Sequence, residues 1–273
     1  MNVGFVGAGR MGRPMVARLV AAGHTVCALA RTDQAHTELA AIGAITATSV
    51  IEVAWAAEVV LVCVFTDEQV REICLDGPLL EELPRGALIV VHTTGSPATA
   101  TAVAATARDR GIGVVDAPVS GGPHDIAAGT LTVFLGGAES DVATARAVVR
   151  AYADPVLHVG PLGAGQRVKL VNNILFAAQI GLVADAVRLG AQLGLPEPAL
   201  LAALPHASSG GRAIASIAAR GSVDEFRSTV GEFLRKDIAV ANELTAALGA
   251  DLGLLGPAVR AGVAPIVPAD PIA

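Results

Sequence analysis

The chain has two lysines, Lys169 and Lys236, against seventeen arginines. Arginine carries the surface positive charge here, so each lysine calls for a reason. A guanidinium keeps its proton in a protein, whereas a partly buried ammonium can be driven toward neutrality and can then donate or accept a proton. On that ground both lysines are candidate chemical sites, with chance retention as the plain alternative. Lys169 stands four residues before Asn173, so on a helix both face one side. An ammonium beside an amide can polarise a carbonyl and hold its orientation. A helix–helix hydrogen bond is the plain alternative for Asn173. Lys236 is followed by Asp237, and a surface ion pair is the plain alternative there.

Two further segments could hold anions. Gly7-Ala8-Gly9-Arg10-Met11-Gly12 follows a strand pattern and opens a helix, the setting in which G-x-G-x-x-G binds a dinucleotide. Gly7 allows the tight turn, Gly9 lets a pyrophosphate approach the backbone, and Gly12 lets helix and strand pack closely. The free N–H groups of the helix start attract the phosphates. About twenty residues on, the second strand ends Ala30-Arg31-Thr32, where an NAD site usually carries an acid for the ribose hydroxyl. Arg31 instead offers a fork of donors to a 2′-phosphate, so NADP is expected rather than NAD. Asp33 reads as a helix N-cap. Ser120-Gly121-Gly122 follows another strand end, and successive N–H groups with little side chain can form an anion-binding hollow, or merely a turn.

Parallel α/β architecture must position these groups. Short β-branched runs at 2–6, 25–29, 59–65, 87–91, 113–116, 130–135 and 156–159 read as strands, with helical patterns at 11–22, 33–42, 69–73 and 97–110 between them. Gly23, Gly43 and Gly111 follow three of those helices as C-terminal stops. Residues 166–193 then run without a turn signal, a helix of about 40 Å at the usual rise per residue. The fold class expected is a Rossmann-type α/β domain with a parallel sheet, joined by a long helix to an all-α domain. The bounds expected are 1–162 for the dinucleotide-binding domain, 163–194 for the interdomain helix, 195–263 for the all-α domain and 264–273 for a loose tail.

Composition excludes other classes. A formal net charge of -6 gives no basic face for nucleic acid. No uninterrupted apolar run reaches the ~18 residues of a membrane span; the apolar stretch 174–184, interrupted by Gln179, reads as a buried helix. Cys27, Cys63 and Cys74 form no C-x-x-C and read as reduced residues of a cytoplasmic protein, with no signal peptide visible. The six histidines show no metal-ligand spacing, so no metal is expected. A long apolar helix that cannot cover its own faces implies a homodimer or homotetramer.

Together, the glycine loop, Asp116-Ala117-Pro118-Val119-Ser120-Gly121-Gly122, the run from Gly160 to Gln166 leading into Lys169-Leu170-Val171-Asn172-Asn173, and Lys236-Asp237-Ile238 resemble, in order and over nearly the whole chain, the motifs of the β-hydroxyacid dehydrogenase family. That family includes 3-hydroxyisobutyrate dehydrogenase and tartronate semialdehyde reductase. The resemblance implies that Ser120, Gly121 and Gly122 hold a substrate carboxylate and that Lys169 is the general acid/base, with Asn173 orienting it or the substrate. It puts Lys236 near the cofactor, Thr94, with Thr93, by the nicotinamide ribose, and the backbone of Val64, Phe65 and Thr66 against the cofactor. It implies reversible oxidation of a small carboxylate substrate, a β-hydroxy acid, to its semialdehyde or keto acid. Pro123-His124-Asp125-Ile126 departs from the glycine- and alanine-rich run usual in relatives, and His124 reads as a loop-surface residue. Thr229 stands where relatives often carry an aromatic, with Phe226 and Phe233 around it. Asn172 replaces the histidine of 6-phosphogluconate dehydrogenases, and the retained lysine separates the chain from imine reductases. An imine or simple carbonyl reductase and a non-catalytic NADP-binding protein are the alternatives.

Overall fold

A computed structural model of the chain describes residues 1–263. It divides into two compact units, Met1–Lys169 and a second beginning at Leu170. In the first, β1 (Asn2–Val6), β2 (Thr25–Leu29), β3 (Ile45–Ala47), β4 (Val59–Val62), β5 (Leu88–Val91) and β6 (Gly113–Asp116) run parallel in the spatial order β3-β2-β1-β4-β5-β6. This is the doubly wound Rossmann order, whose direction reverses between β1 and β4 and opens a crevice at their carboxyl ends. Beyond β6 the sheet changes sense. The strand β8 (Leu131–Gly136) is antiparallel to β6 and to the short β7 (Val119–Ser120), and β9 (Ala153–Gly160) runs parallel to β8.

Side chains alternate across the sheet, as a period of two requires when both faces are covered. On one face Val3, Phe5, Leu61 and Val90 pack with Met15, Leu19 and Val148. On the other, Val6, Val60, Val62 and Ile89 pack with Val53, Leu79 and Val103. All of β4 and β5 is buried, which explains their unbroken apolar runs.

The structure corrects several sequence expectations. The strand expected at 59–65 ends at Val62, because Phe65 and Thr66 enter the cap of the helix Asp67–Arg71. Thr32, rather than Asp33, caps the helix Asp33–Ala41, its side chain accepting from the Ala35 N–H. Helices at Val50–Ala54, Leu79–Glu82, Pro123–Ala128 and Glu139–Val149 were not expected. Gly23, Gly43 and Gly111 do end helices, with φ of 85°, 86° and 66°, a region that favours glycine.

The helix Ala164–Gln192 carries the chain into the second unit, where Glu197–Ala203, Arg212–Ala218, Val223–Ala247 and Leu255–Val263 are the α-helices among the described residues. Leu170, Ile174, Ala177, Ile217, Phe226, Ile238 and Val259 share its core. Two glycines let helices cross backbone to backbone. A side-chain carbon at Gly262 would lie 1.9 Å from the Ala177 carbonyl oxygen, and one at Gly181 would lie 2.1 Å from that of Ala258. By length and composition Ala164–Gln192 could cross a membrane. One side of it is nevertheless built into the core of the second unit. The stretch expected to be a tail, 264–273, lies outside the described residues.

Candidate active site and cofactor loop

The glycine loop sits at the end of β1, against the end of β4. Gly7 has φ of 100°, and a side-chain carbon on it would fall 2.2 Å from the Cys63 carbonyl oxygen. One on Gly12 would fall 2.2 Å from the Gly7 carbonyl oxygen. These two glycines therefore close the turn and let the helix Gly12–Ala21 start on the strand. Gly9 differs, since a side-chain carbon there would meet no protein atom within 4 Å. Space beside the backbone at that point is what a pyrophosphate needs. No acid lies in the first turn of the helix, so its positive end is left for an anion. Exposed Arg10 and half-buried Met11 complete the turn. At the end of β2, Arg31 and Thr32 are exposed, and nothing acidic precedes the Thr32 cap. The loop thus fits a dinucleotide.

Past β4, backbone donors are engaged within the protein. The Val64 N–H donates to Thr93 Oγ1 (3.0 Å), and the N–H groups of Phe65 and Thr66 donate to Gln69 Oε1 (2.9 and 3.1 Å). What this turn offers a ligand is carbonyl oxygen and side chain. Buried Thr93 also donates its hydroxyl to the Val64 carbonyl (3.0 Å), and half-buried Thr94 follows it.

The start of the long helix is tied to this edge by residues that sequence reasoning quoted without a role. Asp116, at the end of β6 and fully buried, accepts the Gly163 N–H on one carboxylate oxygen (2.6 Å) and the Gln166 N–H on the other (2.7 Å). Burial raises its pKa, opposed by these N–H donors and by Arg167. Gln166, also buried, donates to the Thr93 carbonyl (2.8 Å) and accepts from the Gly95 N–H (3.0 Å). One carboxylate and one amide therefore fix the first helical turn against the ends of β5 and β6. Lys169, half-buried, lies three residues beyond Gln166.

Asn173 is one turn beyond Lys169 on the same helix, in the second unit. Buried there, it donates to Asp237 Oδ2 (2.6 Å) and accepts from Asn172 Nδ2 (3.0 Å). The Lys236 ammonium pairs with Asp237 Oδ1 at 3.0 Å. Asn173, Asp237 and Lys236 thus form one polar cluster, so the ion pair and the helix–helix bond weighed as alternatives are both present.

Ser120 lies on β7, and Gly121 follows with φ of 135°. The Ser120 backbone is paired with Thr132 of β8, and the Gly122 N–H is taken by Asp125 Oδ2 at 2.7 Å. A glycine followed by proline and, two residues later, an acid is a helix-start signal that could have revealed this. His124 is exposed, as expected, but on the helix Pro123–Ala128 rather than in a loop.

Another missed group is His92. Fully enclosed, its Nδ1 faces the Ala117 carbonyl oxygen (2.6 Å) and its Nε2 the Tyr152 hydroxyl (2.7 Å). A carbonyl can only accept, so Nδ1 carries the hydrogen and Nε2 accepts from tyrosine. Burial lowers its pKa to about 4, opposed by the Ala117 bond. Among the described residues no cluster suited to a metal ion occurs.

A doubly wound sheet with a glycine loop at its switch point defines a dinucleotide-binding domain. Residues 2–160 match the family described as the NAD binding domain of 6-phosphogluconate dehydrogenase, and residues 163–261 match the NAD-binding domain of NADP-dependent 3-hydroxyisobutyrate dehydrogenase. The NAD-dependent L-serine dehydrogenase of Pseudomonas aeruginosa is 37% identical over 77% of this chain and 70% of that protein. The 2-(hydroxymethyl)glutarate dehydrogenase of Eubacterium barkeri is 34% identical over 71% of this chain and 65% of that protein. The structure of Mycobacterium tuberculosis 3-hydroxyisobutyrate dehydrogenase with L-serine superposes with a TM-score of 0.84 at 32% identity, covering 95% of this chain and 91% of that one. The chain belongs to the β-hydroxyacid dehydrogenase family, and it is an NAD(P)-dependent dehydrogenase of small hydroxy acids.

Proposed function

We propose that this chain uses NADP to interconvert a β-hydroxy carboxylate and its semialdehyde or keto acid, with Lys169 as general acid/base. The substrates named for the relatives share one scaffold: a hydroxymethyl group and a carboxylate on the same α-carbon. A bound nicotinamide supplies the acceptor or donor of hydride. In the oxidising direction Lys169 takes the hydroxyl proton from the β-oxygen, and in the reducing direction it returns it. Ser120 and Gly121, with the Gly122 backbone as wall, receive the carboxylate. Asn173, held by Asp237, fixes geometry on the helix that carries Lys169. Gly7, Gly9, Arg10, Met11 and Gly12 receive the pyrophosphate, and Arg31 and Thr32 the 2′-phosphate. Val64, Phe65, Thr66 and Thr94 flank the nicotinamide end, and Lys236 is assigned to the cofactor.

The observation that carries this reading is the buried Asp116–Gln166 clamp. It fixes the helix start one turn before Lys169 against the carboxyl ends of two parallel strands, where α/β sheets bind ligands. The test is Lys169→Arg, which keeps the charge and removes a group able to release a proton. Turnover should fall by at least ~10²-fold, the usual size of an acid–base contribution, with NADP affinity nearly unchanged. An arginine variant of near-normal rate removes proton transfer from the account.

Val171, Leu175, Leu182 and Leu189 are exposed on the long helix at spacings of four and seven residues, an apolar stripe that supports assembly as a homodimer or homotetramer. Sedimentation of the purified chain checks this, and a monomer at micromolar concentration contradicts it. The free cysteines suit a reducing, cytoplasmic setting.

A further inference from the structure

Gly122 caps the helix Pro123–Ala128, and Asp125 folds back from its third position to accept the Gly122 N–H at 2.7 Å. The carboxylate is pressed against the turn. A side-chain carbon on Gly121 would lie 2.6 Å from Asp125 Oδ2. The Asp125 side chain is only 14% exposed, and the ring of His124 that approaches the same oxygen at 3.3 Å is 82% exposed. The turn assigned to the substrate carboxylate therefore already has one carboxylate built against it.

Two like charges at such a turn repel, unless a cation lies between them. One bond separates a substrate's carboxylate from its α-carbon, so the α-substituent must pass close to whatever touches the turn. The substrates named for the relatives differ only there. L-serine carries an ammonium, 3-hydroxyisobutyrate a methyl group, and 2-(hydroxymethyl)glutarate an arm ending in a second carboxylate.

We propose that Asp125 is a specificity-determining residue that selects β-hydroxy acids bearing a cationic α-substituent and disfavours those bearing a second acid. This rests on the reading that Ser120, Gly121 and Gly122 receive the substrate carboxylate. A zwitterionic α-ammonium acid places its cation between its own carboxylate and that of Asp125. A methyl group gains nothing from Asp125, and a second carboxylate is repelled by it.

The test measures kcat/KM for L-serine, 3-hydroxyisobutyrate and 2-(hydroxymethyl)glutarate on the wild type and on Asp125→Asn. Asparagine keeps an oxygen for the Gly122 N–H and removes the charge, so a purely structural cap predicts no change in selectivity. Loss of a charged contact predicts that the ratio of L-serine to 3-hydroxyisobutyrate falls at least ~10-fold, while the ratio of the diacid to 3-hydroxyisobutyrate rises. Both ratios are taken on one sample, so partial unfolding of the variant cancels. Ratios unmoved by Asp125→Asn overturn the role of Asp125 and leave the carboxylate turn standing. A wild type that turns over none of the three overturns both.

Discussion

Replacing Asp116 by asparagine should loosen the helix that carries Lys169. The native carboxylate gives one oxygen to Gly163 and one to Gln166, at 2.6 and 2.7 Å, with no exposure to water. Asparagine fills the same space but has one oxygen. Its amide nitrogen must face the other backbone N–H, donor against donor. A hydrogen bond to a charged group contributes about 1.5–3 kcal/mol, and an orphaned buried donor costs about 1–3 kcal/mol. Relief of a buried charge, visible as the upward shift of the Asp116 pKa, offsets part of this. The net loss should be about 2–4 kcal/mol, a large fraction of the ~5–15 kcal/mol that holds a domain folded. Urea unfolding measures it. Hydrogen exchange at the Gly163 and Gln166 amides locates it without assuming all-or-none unfolding. On the proposal that Lys169 transfers the proton, turnover should fall roughly 10- to 100-fold because its ammonium is displaced, while affinity for the nicotinamide cofactor changes little. A variant within about 0.5 kcal/mol of wild type, the range of an ordinary surface change, or one of unaltered turnover, would refute the clamp.

Arg31→Asp should weaken NADP by a contact of on the order of 1.5–3 kcal/mol and leave NAD less affected; titration of both cofactors on both proteins checks it, and equal binding by the wild type refutes the assignment. The His92 pKa of about 4, against an ordinary 6.5, means that the unfolded chain binds the extra proton first as pH falls. Its contribution is therefore full above pH 6.5 and is lost toward pH 4, by about 3 kcal/mol in all at ~1.4 kcal/mol per unit. His92→Phe should be less stable at neutral pH, because it strips partners from Ala117 and Tyr152, and should lose that slope; a variant with the wild-type slope would place the titration elsewhere.

How much of this was legible depended on how local each feature is. The strands Asn2–Val6, Thr25–Leu29 and Gly113–Asp116 and the helix Ala164–Gln192 stood out because their apolar runs contrast with glycine or polar ends. The strand Ile45–Ala47 has three residues, too few for a period, and Glu139–Val149 is rich in alanine, which blurs its amphipathic face. Gly7 and Gly12 were readable because a backbone approach excludes every other residue. The hydrogen bonds of Asp116 and Gln166 span about fifty to seventy residues, and no spacing rule reaches that far. The bond from Gly122 to Asp125 is local and was missed because the segment reads as a loop.

The central claim is hydride exchange between a nicotinamide and the β-carbon of an acid whose carboxylate is bound. Its most direct measurement compares NADP reduction by the wild type with 3-hydroxyisobutyrate, its methyl ester and the corresponding simple alcohol. Donors desolvated for a charge and left underused discriminate strongly, so the acid should exceed the ester and the alcohol in kcat/KM by at least ~10²-fold. Equal kcat/KM for all three would remove the carboxylate from the mechanism and return the chain to a simple carbonyl or imine reductase.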